Sequence, residues 1–122
     1  FFDRSTPAAE ARKLAGQVEA TLDELQAIFP ENALLIDARG VVLRRSGQPA
    51  RALPFFDEAV RQYPDASGPR VNKADALLDL GRIEEARALL DEAERLDPSF
   101  KEIDAVRRRL EQMSRQEGVP YE

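Results

Sequence analysis

The sequence predicts an all-α protein, a solenoid of stacked antiparallel helix pairs. The first observation is a repeat: Gly47, Ala52, Phe56, Ala59 and Pro64 return 34 residues later as Gly81, Ala86, Leu90, Ala93 and Pro98, and Pro30 stands 34 residues before Pro64. A fixed period of this size marks helical hairpins that bury their apolar faces on one another. The second is punctuation, with Gly closing one helix of each pair and Pro closing the other. The third is spacing, because apolar residues between these marks recur every three or four positions.

The elements follow in order. Residues 1–6 lack periodicity and are expected to fray. Thr6-Pro7 supplies a cap and a first-turn proline for a helix over 7–29, whose stripe is Leu14, Val18, Leu22, Leu25 and Phe29. Gly16 leaves a second reading, a turn with 17–29 as the latter half of a partial repeat, but no cap residue follows it. Asn32 caps a helix over 33–46, in which Gly40 permits close helix approach and Gly47 ends the run. Pro49 opens a helix over 49–62 with Phe55, Phe56, Ala59 and Val60 toward the core; Pro54 inside it removes the amide partner of the Ala50 carbonyl and predicts a bend on the outer face. Ser67-Gly68-Pro69 restarts a helix over 69–80, Gly81 leads into 83–96, and Asp97-Pro98 ends that helix. Ser99 and Glu102 have the spacing of a capping box for a last helix over 100–116. Its single stripe of Ile103, Val106, Leu110 and Met113 suits a lid with a polar back.

Composition removes several classes of function. The chain has 122 residues, enough for one domain, with 43% hydrophobic and 34% charged residues. A net charge of −5 argues against a nucleic-acid partner, and there is no apolar run long enough to span a bilayer. The chain has no Cys and no His, so disulfides, thiolate metal sites and imidazole catalysis are absent and the compartment stays open, the cytoplasm favoured over the periplasm. The first residue is Phe, which suggests a piece of something longer; the preference for Arg over Lys reads as a bacterial-like composition. Carboxylate neighbours such as Glu84-Glu85 and Asp91-Glu92 read as solvated helix faces, with Arg87 for Glu84 and Arg95 for Asp91 one turn away. Arg107-Arg108-Arg109 reads as the wet back of the lid, or as a contact for an acidic partner. No phosphate loop, nucleophile elbow or calcium loop is present, so no catalytic, cofactor-binding or metal residue is assigned and no cofactor is expected.

With these residues in hand, 33–66 and 67–100 resemble two full tetratricopeptide repeats (TPR), flanked by the helix over 7–29 and a capping helix over 100–116, in a single domain. Gly40, Ala52 and Ala59, then Ala74, Ala86 and Ala93, match the family's small residues. Ile36 and Arg70 depart from it where an aromatic is usual. The resemblance implies a right-handed superhelix that binds a peptide or partner helix in a concave groove. Carried over, the groove positions are Leu34, Asp37, Val41, Arg44 and Arg45, with Val71, Asn72, Asp75, Leu78 and Asp79 from the second repeat. Val41, Val71 and Leu78 would then form an apolar floor between basic and acidic edges. Asn72 matches one residue of the subset that clamps chaperone C-terminal carboxylates, but Asp37 and Val41 stand where that clamp needs other groups. The expected role is a non-enzymatic interaction scaffold for a protein or peptide ligand. The alternatives are self-association into a homo-oligomer, with residues 1–6 swapped into a neighbour, and a regulatory part of a larger protein.

Overall fold

A computed structural model describes residues 7–118, and every regular element among them is helical. The helices are α1 (Pro7–Ile28), α2 (Ala33–Arg45), α3 (Pro49–Gln62), α4 (Ser67–Asp79), α5 (Ile83–Leu96) and α6 (Glu102–Gly118). The expected roles of Thr6, Phe1 and Phe2 lie outside the described residues. Consecutive helices pack as hairpins, α2 with α3 and α4 with α5, and α3 also lies against α4.

The two glycine stops are built alike. After α2, the Gly47 amide donates to the Arg44 carbonyl at 3.1 Å and the Gln48 amide to the Leu43 carbonyl at 2.9 Å. After α4, Gly81 donates to Leu78 at 3.0 Å and Arg82 to Leu77 at 2.8 Å. Both are Schellman closures, which need a left-handed residue at the turn, and the two glycines have φ of 85° and 76°. Asn32 caps α2 as expected, its side-chain oxygen accepting from the amides of Leu34 at 2.9 Å and Leu35 at 3.3 Å.

Gly40 is where α2 meets α3. A Cβ there would lie 2.5 Å from the Phe56 ring, so the missing side chain admits the aromatic. Phe56, Leu43, Ala52 and Ala76 form one core cluster. A larger cluster joins α4, α5 and α6 through Val71, Ala74, Leu77, Leu78, Leu90, Ile103, Val106 and Leu110. Ser67 is buried inside the second hairpin, its hydroxyl donating to the Ala93 carbonyl at 3.0 Å. Pro54 sits on the exposed side of α3, where the carbonyl it leaves unpaired can reach water, and α3 continues to Gln62.

Four local expectations change. Of the expected α1 stripe only Leu22 is buried: Leu14 is 58% exposed, and Val18, Leu25 and Phe29 are exposed as well. Among the described helices α1 packs its backbone on α2, with Ala15 and Leu22 buried, and reaches α3 through Glu19 and Arg51, 3.8 Å apart. Leu14 and Ala15 are neighbours, and neighbours on a helix point about 100° apart, so contact through one leaves the other bare. Secondly, α4 starts at Ser67 rather than 69. Thirdly, the capping box does not form. The Ser99 hydroxyl and amide both donate to Asp97 Oδ1, at 2.7 and 3.1 Å, and α6 begins at Glu102. Finally, Asp91 pairs with Arg107 of α6 at 2.8 Å instead of Arg95, because α6 brings a guanidinium across the α5 surface; Glu84 does meet Arg87, at 3.5 Å.

Candidate functional site

Three helices line one face of the stack: α2, α4 and α6. Side chains 35 positions apart meet across the first two. The Asn72 amide donates to both oxygens of Asp37, at 3.1 and 3.0 Å. Two turns along, Arg44 Nε lies 2.8 Å from Asp79 Oδ2 and its Nη2 lies 3.4 Å from Asp75 Oδ1. Arg109 of α6 completes this cluster, donating to Asp75 Oδ1 at 2.7 Å and Asp79 Oδ1 at 2.6 Å. Burial opposes the charge on Arg109, but its hydrogen bonds to Asp79 and Asp75 together with the attraction of those two carboxylates raise its pKa. Two guanidiniums and two carboxylates thus neutralise one another over the lower part of the face.

The expected apolar floor is also closed. Val71 is 3% exposed and Leu78 is 1% exposed, both inside the core cluster that includes Ile103, Val106 and Leu110. The lid helix covers α4 as well as α5, which takes Val71 and Leu78 off the surface. Val41 and Arg44 stay half-buried, and Arg45 is exposed beyond them. Within the basic run, Arg107 binds Asp91 and Glu94, at 2.8 and 2.6 Å, and Arg109 joins the cluster above, so two of its three charges are engaged internally.

What remains open is the mouth of the face, where α2 and α4 begin. A groove of about 910 Å³ lies there, walled by Ile28, Phe29, Leu34, Tyr63 and Pro69, with Asp37 among its lining residues. Leu34 is 80% exposed, extreme for a large apolar side chain. Burial raises the pKa of Asp37, and the bond from Asn72 only partly offsets that. Of the positions that the resemblance implies, Leu34 and Asp37 line this groove; Phe29 and Tyr63 line it too and are not among those positions. Their signal is in the repeat, since each is an aromatic directly before the closing proline, 34 residues apart, and Asp97 takes that place in the third instance.

Paired helices with small residues at their crossings, closed by a polar-backed last helix and presenting a side-chain face, define a helical-repeat scaffold. A tetratricopeptide repeat family profile matches residues 43–110, and the chain belongs to that family. Protein FlbA of Caulobacter vibrioides is 42% identical over 74 residues, which are 61% of this chain and 12% of that protein. The Arabidopsis OM64 TPR domain superposes with a TM-score of 0.74 at 20% identity, covering 86% of this chain and 87% of that domain. The first TPR of Spaghetti, solved with the HSP90 peptide SRMEEVD, superposes with a TM-score of 0.65 at 18% identity, covering 92% and 94%. No helix among the described residues is long and apolar enough to cross a membrane.

Proposed function

We propose that this chain is a protein–protein interaction module that takes a peptide or helix of a partner at the open mouth of its concave face. The observation that carries this is the groove beside α2, where Leu34, Ile28, Phe29 and Tyr63 present apolar surface to solvent. Exposed apolar patches of this kind mark interaction sites, and concave apolar walls with a few polar groups suit peptide anchors. The TPR fold is generally a non-catalytic scaffold, and a structural neighbour was solved holding a peptide. A protein partner fits better than nucleic acid, because the chain is net negative and both charged residues lining the groove are carboxylates. Of the expected groove residues, Leu34 and Asp37 carry the contact, with Val41 and Asn72 beside them. Arg44, Asp75 and Asp79 hold the scaffold together, and Val71 and Leu78 support it from within. A single domain over residues 1–122 remains part of this reading.

The test is selection from a random peptide library displayed on phage, run against the chain and against a Leu34→Asp variant. Peptides enriched on the chain and lost on the variant are expected. Enrichment of none, or equal retention by the variant, removes the groove reading. A second reading, self-association, is favoured by the bare face of α1 at Leu14, Val18 and Leu25. A light-scattering mass that stays at 13.7 kDa across concentration would end it.

A further inference from the structure

We infer that the groove selects a segment carrying a large apolar side chain next to a Lys or Arg, and that it refuses acidic segments. This rests on the peptide-binding reading and specifies its ligand. The groove is lined by thirteen residues, and the two that bear charge are Glu31 and Asp37. No cation lines it. The nearby cations are held elsewhere: Arg44 and Arg109 on Asp75 and Asp79, and Arg39 on Asp23 at 2.5 Å with its guanidinium 4.8 Å above the Phe55 ring. Arg70 donates to the Ala66 carbonyl at 2.9 Å and lies 3.4 Å from Glu92.

Some of the neutral donors nearby are already spent. Asn72, the residue that matched a carboxylate clamp, already gives its amide to Asp37. The first turn of α2, which could favour an anion, has its amides at Leu34 and Leu35 taken by Asn32. The opening turn of α4 has no side-chain cap, and with no amide from Pro69 it offers an anion the backbone N–H groups of Ser67 and Gly68, set against the two carboxylates of the wall. On the acceptor side, a carboxylate has about four lone-pair sites, and the Asn72 amide fills only part of the capacity of Asp37. A guanidinium or ammonium beside an anchor seated among Leu34, Phe29 and Tyr63 would complete it. Charge-assisted bonds are the strong ones, and the half-buried setting screens them less than open water does.

The experiment uses the peptides enriched on the full chain. Lys or Arg is expected next to a bulky apolar residue in most of them. In one such peptide the cation is then changed to Glu, and both forms are titrated by fluorescence anisotropy. The basic form should bind at least about tenfold more tightly, as expected for one hydrogen bond to a charged group. Asp37→Asn should shrink that ratio toward one. Glu31→Gln should shrink it in part, which keeps the test open should Asn at 37 fail to fold, and Arg45→Ala, outside the groove, should leave it unchanged. Enriched peptides that are acidic or uncharged, or a ratio that survives both carboxylate changes, overturn the inference while leaving the peptide-binding reading in place. Failure to enrich any peptide overturns both.

Discussion

Replacing Gly40 by Ala should destabilise this protein, although Ala is the better helix former. The intrinsic gain from Gly to Ala within a helix is about 1 kcal/mol. Against it, the new methyl would stand 2.5 Å from Phe56 Cε1 and 2.8 Å from its Cδ1 and Cζ. These distances lie far inside the contact optimum of about 3.5–4.0 Å between carbons. The ring cannot withdraw, because Phe56 is fully buried beside Leu43, Ala52 and Ala76. Overpacking of this kind costs about 1–3 kcal/mol, and contact this close belongs near the upper end. The net loss should be about 2 kcal/mol, read in urea unfolding as a lower midpoint, or as a fall in Tm of roughly 5–10 °C for a domain of this size. In a Phe56→Leu background the same substitution should cost far less, since contacting residues couple by about 0.5–3 kcal/mol. A Gly40→Ala variant as stable as the parent, or one that loses as much in the Phe56→Leu background, would refute the close-packing account.

The same exchange at Gly16 should have the opposite sign. Gly16 is helical and exposed with nothing near its missing side chain, so Ala should raise α1 helicity by circular dichroism and stabilise by about 0.4–1 kcal/mol. Gly81→Ala should cost about 1–2 kcal/mol, because its φ of 76° is left-handed whatever space surrounds it; an unchanged urea midpoint would count against the Schellman closure. Leu110→Ala should cost about 2–5 kcal/mol and loosen the lid, seen as faster amide exchange in α6 than in α2. Asp37→Asn tests burial through pH. The folded pKa of Asp37 is raised, so its favourable share of stability is complete below the unfolded value of 3.8 and is lost as pH climbs through the folded value. The Asn variant lacks that loss, so its stability relative to the parent should grow from acid toward neutral pH and then level off. A difference that is flat or falls across that range would show that Asp37 is not desolvated.

The fold was legible because its signals are local. Asn32, Gly47 and Gly81 act on the turn they occupy, and Gly40 against Phe56 follows from a period that fixes which helix meets which. For the candidate site, the lining residues Leu34 and Asp37 are among the positions that the family resemblance implies, and the period by itself names neither. Val71 and Leu78 misled because their exposure depends on where α6 lies, and a stripe on one helix does not name the helix that covers it. The α1 stripe failed for the same reason: Leu14 and Ala15 are both apolar, and only the position of α2 chooses between them. Ser99 failed because Asp97, two residues away, is a better acceptor for its hydroxyl than an amide is a donor to it.

The closure of the lower face bears on where recognition takes place. A single exposed ion pair contributes little, but Arg44, Asp75, Asp79 and Arg109 tie three helices together with charges only about a fifth to a third exposed. A ligand that claimed Asp79 would have to displace two guanidiniums, and one that claimed Arg44 would leave carboxylates beside Arg109 alone. Neither exchange favours binding, since the lost pairs are partly desolvated and the new ones would repeat them. At the mouth the balance reverses. Leu34, Phe29 and Tyr63 gain from being covered, and Asp37 gains a cationic partner beside the Asn72 amide. On the proposed function, the lid that secures the stack leaves the mouth of α2 and α4 as the place where a partner would lower the free energy of the whole.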